Sequence, residues 1–212
     1  MNRWLVLVVT VVILGSRGSR VVAEPGRAGS VVVAWGNGCC GQIGDGTDGS
    51  DRLKPVAVHG LADAATLGEV VQVAGGEYHS LARLADGHVL AWGDNAYGQL
   101  GDDNAQVDGL KPVYVTGLNG EGTLADIKFI AAGRYHSLAV TTSGNVWAWG
   151  ENDFGQLGDG ATYPYVGFPQ QVMNATGTAP LAGVVAVAAG AYHSIALTAD
   201  GTLWAWGDNS VG

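Results

Sequence analysis

Ala-Trp-Gly stands at residues 34–36 and returns every 57 residues, at 91–93, 148–150 and 205–207. Two further motifs keep the same interval: Gly-Gln-Ile/Leu-Gly-Asp at 41–45, 98–102 and 155–159, and Tyr-His-Ser at 78–80, 135–137 and 192–194. Three separate motifs that share one period without an insertion identify an internal repeat. Repeats of this size are typical of solenoids and propellers.

Within one period the apolar residues follow a strand pattern. In the unit 127–183 we predict strands at 130–133, 136–140, 146–149 and 169–173, with a hairpin turn at 142–145. Leu138 and Val140 share one face of the second strand, and Trp147 and Trp149 share one face of the third, because strand side chains alternate with period two. Pro169 at the start of the fourth strand favours an edge position.

Four short antiparallel strands make a sheet whose two apolar faces cannot both be buried by one repeat, and radial stacking of such sheets solves this problem. The sequence therefore predicts an all-β fold, a partial β-propeller of about three four-stranded blades with 57-residue repeats. The repeats occupy 31–212 and are incomplete at both ends: Val21-Val22-Ala23 stands where Tyr-His-Ser belongs, and Gly212 aligns with Gly155. We expect an open arc whose exposed blade edges can self-associate, and we interpret the chain as part of a longer protein.

The first residues have the layout of a secretory signal peptide. Arg3 precedes an apolar run from Trp4 to Leu14, which is too short to cross a bilayer as a helix, and small residues end at Ala23. We predict a signal peptide at 1–23, a linker at 24–30 and a secreted or extracytoplasmic protein. Arg17 and Arg20 disfavour cleavage, and the alternative is a protein anchored to the membrane by this segment.

Composition and charge narrow the class of partner. The chain has 35 Gly, 47% apolar residues and only 14% charged residues, which fits many short strands joined by tight turns. Its net charge is −9, and removal of 1–23 would bring it to about −12. An acidic surface repels phosphates, so we expect no nucleic-acid partner.

The only cysteines are the neighbours Cys39 and Cys40. Adjacent cysteines cannot staple distant parts of a fold, and they lack the spacing of a zinc site. Two free thiols in a surface loop is the simpler interpretation. A vicinal or intermolecular disulfide is the alternative, and it would fit an oxidising compartment.

The quoted motifs resemble the repeat of the regulator of chromosome condensation family, over about residues 31–212. The resemblance implies a propeller, and functions in that family include nucleotide exchange on a small GTPase, ultraviolet sensing in plants and inhibition of β-lactamases by a secreted bacterial protein. The turns that would carry a sensing Trp contain none here, so light sensing is not supported. The repeat signature consists of His79, His136, His193, Trp35, Trp92, Trp149, Trp206, Gly98, Gln99, Gly101, Gly155, Gln156 and Gly158.

The recurring histidines are the obvious catalytic candidates, since each is followed by a serine. Neighbours on a strand point to opposite faces, so each His-Ser pair should diverge, and a set that recurs in every repeat indicates folding rather than chemistry. We expect each His to be buried and bonded to backbone of its own or the next blade, and the Trp rings to pack between blades. Asp45, Asp48 and Asp51 lack calcium-loop spacing and predict a solvated turn. We therefore expect no enzymatic activity, no cofactor and no bound metal.

What remains is a surface for recognition. The turns before each His vary beside a constant Tyr, and the loop 161–168 adds further aromatics. Tyr and Arg are enriched at protein-binding hot spots, although the recurring Tyr residues could instead serve packing. We predict a non-enzymatic protein-binding propeller, with a guanine nucleotide exchange-type regulator of a small GTPase as the alternative. The candidate binding residues are Glu77, Tyr78, Arg134, Tyr135, Ala191, Tyr192, Tyr163 and Tyr165.

Overall fold

The computed structural model describes residues 20–22, 31–161 and 163–211. These residues form fourteen strands: β1 (Arg20–Val22), β2 (Val33–Gly36), β3 (Arg52–Ala57), β4 (Val70–Gly75), β5 (His79–Leu84), β6 (Val89–Gly93), β7 (Gly109–Tyr114), β8 (Ile127–Ala132), β9 (His136–Thr141), β10 (Val146–Glu151), β11 (Tyr165–Gln171), β12 (Val184–Ala189), β13 (His193–Thr198) and β14 (Leu203–Gly207). Short 3-10 turns lie at Leu61–Asp63 and Leu118–Gly120. The described residues contain no helix long and apolar enough to span a membrane.

The strands form four antiparallel sheets in the orders β1-β2-β3, β4-β5-β6-β7, β8-β9-β10-β11 and β12-β13-β14. The predicted all-β propeller arc built from four-stranded, 57-residue blades is confirmed. Each blade takes its last strand from the segment that follows Ala-Trp-Gly, so the repeat unit 127–183 contains the whole sheet β8-β9-β10-β11. The described residues form two such four-stranded sheets, flanked by two three-stranded ones.

Three sheets contain the strand that follows Ala-Trp-Gly, namely β3, β7 or β11. In each of them the pairing shifts register next to the Trp of that motif. The pairing shifts register between Ala91 and Gly93, and at the matching positions in the other repeats. The predicted fourth strand begins earlier than expected, at Tyr165, so Pro169 lies inside β11 rather than at its start. The proline is tolerated because β11 is an edge strand and Pro169 lies where the register shifts.

The core consists of three apolar layers, each between two successive sheets. The first joins Ala34 to Leu90 and Trp92. The second joins the β5–β6 face to the β8–β10 face around Trp149, and the third joins the β9–β10 face to the last sheet, with Trp204 and Trp206 packed against it. The expectation that the Trp rings pack between blades agrees with this arrangement. Truncating a buried Trp to Ala typically costs about 3–5 kcal/mol.

The two ends of the arc differ from its middle. His79 and His193 pair with Gly93 and Gly207, but Val22, at the matching repeat position, pairs with Val33. At the other end, Leu203 is 69% exposed, whereas Val89 and Val146 at the matching positions are 0% exposed. Strand β1 lies within the predicted signal peptide, and residues 1–19 and 23–30 lie outside the described part of the chain.

Candidate functional site: the turn face

Successive connections in an antiparallel sheet lie at opposite ends of the sheet. The turn before each His and the loop after each Ala-Trp-Gly therefore lie at the same end. The turn before each His is tied to the loop after each Ala-Trp-Gly: the amides of Asp94, Glu151 and Asp208 donate to the carbonyls of Tyr78, Tyr135 and Tyr192, each at 2.9 Å. We call this end the turn face. It consists of turns 76–78, 133–135 and 190–192 and loops 37–51, 94–108 and 151–164.

Below this face, hydrogen bonds join each pair of adjacent sheets (a seam), and a histidine takes part at two of these seams, where the bonds form a relay. His79 Nε2 lies 2.9 Å from the Ser137 hydroxyl of the next sheet, and that hydroxyl donates to the Gln99 carbonyl at 2.9 Å. The Trp149 indole N–H donates to the same carbonyl at 2.9 Å. Because the serine's only proton is used on the carbonyl, the histidine must donate from Nε2.

The relay recurs between the next two sheets. There His136 Nε2 lies 3.0 Å from Ser194 Oγ, and Ser194 and Trp206 donate to the Gln156 carbonyl. At the first seam Ser80 and Trp92 donate to Gln42 in the same way. Seven of the signature residues thus hold adjacent sheets together: His79, His136, Trp92, Trp149, Trp206, Gln99 and Gln156.

The structure corrects two expectations about the histidines. The partner of each buried His is a serine hydroxyl rather than backbone, so the His of one sheet does meet a Ser, although not its own neighbour. His193, in the last sheet, is exposed instead of buried, since no described sheet packs on that side. Its repeat position supplies the imidazole, but burial requires the next blade.

These His-Ser pairs do not have the geometry of a hydrolytic site. His79 and His136 are 1% and 0% exposed, and both serines are fully enclosed. Nδ1 of each of these two rings has no hydrogen-bond partner among the described residues, so no acid orients the imidazole as a triad requires. Burial lowers the pKa of His79 to about 3 and that of His136 to about 4, with a smaller contribution from the following histidine.

Two signature glycines are explained by contacts with these residues. A Cβ on Gly101, whose φ is +68°, would lie 2.7 Å from Trp149 Nε1, and Gly158 stands in the same relation to Trp206 at 2.6 Å. A Cβ on Gly133 would overlap the ring of His136, with Nδ1 at 2.5 Å. Each glycine leaves the space that an interblade ring occupies.

Aromatic side chains form a connected row on the turn face. Tyr78 stacks on Tyr135 with ring centroids 5.8 Å apart, and Tyr97 lies 4.9 Å from Tyr135. Tyr97 also contacts Tyr165 at 6.4 Å, edge to face. We call Tyr78, Tyr97, Tyr135, Tyr165, Phe154 and Tyr192 the aromatic row.

Arg134 joins the two parts of this row. Its guanidinium lies over the rings of Tyr135 and Tyr192, at 5.0 and 5.3 Å from their centroids, and it contacts the Tyr192 hydroxyl. Its Nε lies 2.8 Å from Glu77 Oε2, and its amide donates to the Ala191 carbonyl at 3.3 Å. One side chain thus links the turns of three consecutive sheets.

The structure brings together all but one of the predicted binding residues. The exception is Tyr163, whose hydroxyl donates to Asp159 at 2.7 Å, and whose pKa is raised to about 12 by burial and by that carboxylate. Two members of the aromatic row, Tyr97 and Phe154, were missed: Phe154 lies 5.2 Å from Tyr192. Their shared repeat position, two residues before Gln99 and Gln156, is the signal that would have found them.

Cys40 occupies that same position in the first repeat. Cys39 and Cys40 are joined in a vicinal disulfide, so the prediction of two free thiols is wrong and the alternative holds. The Cys40 amide donates to Gln42 Oε1 at 2.9 Å, as the Tyr97 and Phe154 amides donate to their own glutamines. This hydrogen bond is therefore the same in all three repeats, whatever side chain stands at the loop tip.

Two of the three carboxylates of the first loop, Asp45 and Asp51, are engaged by neighbouring side chains. Asp45 pairs with Arg52 at 2.6 Å and accepts from Thr47, and these contacts lower its pKa although burial opposes them. Asp51 accepts from Asn37 Nδ2 at 3.1 Å. Within the described part of the chain no group of three or more His, Cys, Asp or Glu is placed to hold a metal ion.

Several known proteins are similar to this chain. It is 37% identical over 201 residues to the E3 ubiquitin-protein ligase HERC2 of Homo sapiens, which covers 93% of the chain and 4% of HERC2. It is 38% identical over 181 residues to the ultraviolet-B receptor UVR8 of Arabidopsis thaliana, covering 85% of the chain and 38% of the receptor. The chain thus spans well under half the length of these curated relatives.

A solved structure shares the architecture as well. Prp20p from Saccharomyces cerevisiae, described with its binding properties to Gsp1p and histones, superposes with a TM-score of 0.71 at 25% identity. The match covers 91% of this chain and 44% of Prp20p. The family model for the regulator of chromosome condensation (RCC1) repeat matches residues 31–83, 86–140 and 143–197. The chain belongs to the regulator of chromosome condensation repeat family.

Proposed function

We propose that this chain is a non-enzymatic protein-binding part of a propeller and that the turn face holds the partner. One observation carries the proposal: every aromatic residue in the connections between strands β2 to β14 lies on this face. Tyr78, Tyr97 and Phe154 are among them, whereas the connections at the opposite end contain no Tyr, Phe or Trp. Rigid aromatic rings on a fixed scaffold are typical of protein interfaces.

The hydrogen bonds at the seams support the proposal that the turn face binds a partner. The relay holds adjacent blades in a fixed arrangement, and Arg134 fixes three turns against one another. A partner would therefore meet a preorganised surface, which lowers the entropic cost of binding. The ligase activity named for HERC2 belongs to that protein, of which this chain matches 4%, and the buried His-Ser pairs offer no accessible nucleophile.

We further propose that the chain is exported and belongs to a longer propeller. Export rests on the apolar run from Trp4 to Leu14. N-terminal sequencing of the secreted protein tests it, since cleavage after Ala23 leaves Glu24 as the first residue. Membership of a longer propeller rests on the exposure of Leu203 and His193, which a further blade would cover. Exchange on a small GTPase is the runner-up, supported by the likeness to Prp20p. It requires accelerated nucleotide release from a GTPase, which a secreted protein would not encounter.

Site-specific photocrosslinking tests the binding proposal. A benzophenone side chain is placed at Phe154 on the turn face, and in a matched variant at Leu118 on the opposite end; both positions are exposed. The host's extracytoplasmic fraction is then irradiated with each variant. We expect one discrete crosslinked protein from position 154 and none from 118. Equal crosslinking from both positions, or from neither, would overturn the proposal.

A further inference from the structure

We propose that the partner presents a basic segment, rich in Arg or Lys, to the turn face. This inference rests on the proposed function and names the chemistry of the partner. Three features of the turn face support it: its negative charge, the way it already holds one guanidinium, and a buried carboxylate with one oxygen that makes no hydrogen bond.

The turn face is strongly and one-sidedly charged. Its turns and loops contain eleven Asp and Glu residues and a single Lys or Arg, namely Arg134, which is paired with Glu77. Arg52, the first residue of β3, pairs with one further carboxylate of the face, Asp45. Burial and the charge of Asp108 raise the pKa of Asp94, which agrees with carboxylates crowded together on this face. An unbalanced negative field next to aromatic rings favours cationic ligands over anionic ones.

Arg134 shows what the face does with a cation. Its guanidinium lies against two tyrosine rings, 5.0 Å from Tyr135 and 5.3 Å from Tyr192, while Glu77 lies 2.8 Å from its Nε. A carboxylate beside aromatic faces is the combination that attracts guanidinium and ammonium groups. The same elements recur one loop further on, where Phe154 contacts Tyr192 and carboxylates flank the pair.

Glu151 supplies the unsatisfied partner at that point. Its side chain is only 4% exposed, and its Oε2 finds no hydrogen-bond partner among the described residues. Burial and the neighbouring Asp153 raise the pKa of this carboxyl, whereas Arg134 and the Gln156 side chain lower it. The chain's own groups thus stabilise this charge only in part, and a partner's cation held at the exposed Asp153 would add to them. Glu151, Asp153, Phe154 and Tyr192 therefore form the proposed seat for a partner's Arg or Lys.

Peptide binding with a charge-matched control tests the inference. The probe is a fluorescent peptide of alternating Arg and Gly, compared with a Glu-Gly peptide of the same length, and fluorescence anisotropy gives the affinity. Asp153→Lys reverses a charge in the seat, and Glu121→Lys makes the same change at an exposed position on the opposite end. Thermal unfolding shows that both variants fold.

We expect the Arg peptide to bind more tightly than the Glu peptide, with affinity that falls as salt rises. Asp153→Lys should weaken binding about fivefold or more, and Glu121→Lys less than about twofold. Equal losses in the two variants, or no preference for the Arg peptide, would overturn the inference. If the Arg peptide does not bind but the crosslink at position 154 still forms, the inference is wrong and the turn face binds a partner of other chemistry. If neither the peptide nor the crosslink is observed, the proposed function itself is wrong.

Discussion

The imidazole Nε2 of His136 lies 3.0 Å from the hydroxyl of Ser194, a residue of the neighbouring sheet. The two residues are 58 positions apart, and they are the His and Ser of successive copies of one motif. Each repeat thus provides a donor for the sheet ahead and an acceptor for the sheet behind. The contact joins two sheets, and it needs the Tyr-His-Ser motifs of two successive repeats to form.

Removal of the buried imidazole should cost stability. His136→Ala leaves a cavity and removes the donor to the Ser194 hydroxyl oxygen, so we expect the free energy of unfolding to fall by about 2–4 kcal/mol. His193→Ala provides the matched control, because the same motif residue is exposed in the last sheet and its loss should cost less than about 0.5 kcal/mol. Urea unfolding followed by Trp fluorescence measures both. Equal effects would mean that the seam does not depend on the relay.

Acid should weaken the seams at a pH where most carboxylates are still charged. Burial holds the pKa of His79 at about 3 and that of His136 at about 4, below the ordinary value of 6.5. The unfolded chain therefore binds protons first, so stability is complete above pH 6.5 and is lost as the pH falls toward the folded values. At pH 5 the loss should be about 2 kcal/mol for each histidine.

Unfolding by urea at pH 7 and at pH 5 checks this expectation. His136→Asn serves as the control, since it lacks one of the two titrating groups and should lose about half as much stability between the two pH values. Ring signals of His79 and His136 that titrate near pH 6.5 would contradict the expected burial.

The glycine two residues before the Tyr of each Tyr-His-Ser motif should be required for stability only where the His of that motif is buried. In Gly133→Ala the new methyl group would overlap the ring of His136, which is enclosed and cannot move aside. We expect a loss of about 1–3 kcal/mol in the free energy of unfolding. In Gly190→Ala the methyl group meets His193, whose ring is exposed and can rotate away, so the melting temperature should change far less.

The open face of the last sheet should make the 212-residue chain self-associate. Leu203 is 69% exposed on a face that is buried in the preceding sheets, and Leu203→Asp should therefore shift the chain toward monomer. Leu53→Asp, at a more exposed leucine on the outer strand β3, should leave association unchanged. Sedimentation velocity over a range of concentrations measures both, and a wild-type chain that stays monomeric at high concentration would refute the expectation.

The sequence predicted the strands well where its pattern was local. The alternation at Leu138 and Val140, and the turn at 142–145, placed β9 and β10 nearly at their observed bounds. The start of β11 was missed because the pairing shifts register next to Trp149, and because Pro169, which predicts a strand start, lies inside the strand. The aromatic row was found only in part, since Tyr97 and Tyr165 are far apart in sequence and meet through the loop conformation.

The sequence by itself, through its period of 57 residues and the alternation within it, determined the fold class and the packing of the Trp rings between sheets, because every repeat must hide two apolar faces against its neighbours. Only the tertiary structure decided which side chains meet across a seam: His136 finds Ser194 rather than its own neighbour, and Arg134 reaches Glu77 and Tyr192 on either side. The physical reason is that strand alternation fixes the face on which a side chain lies, whereas the partner on that face is set by the packing of the next sheet.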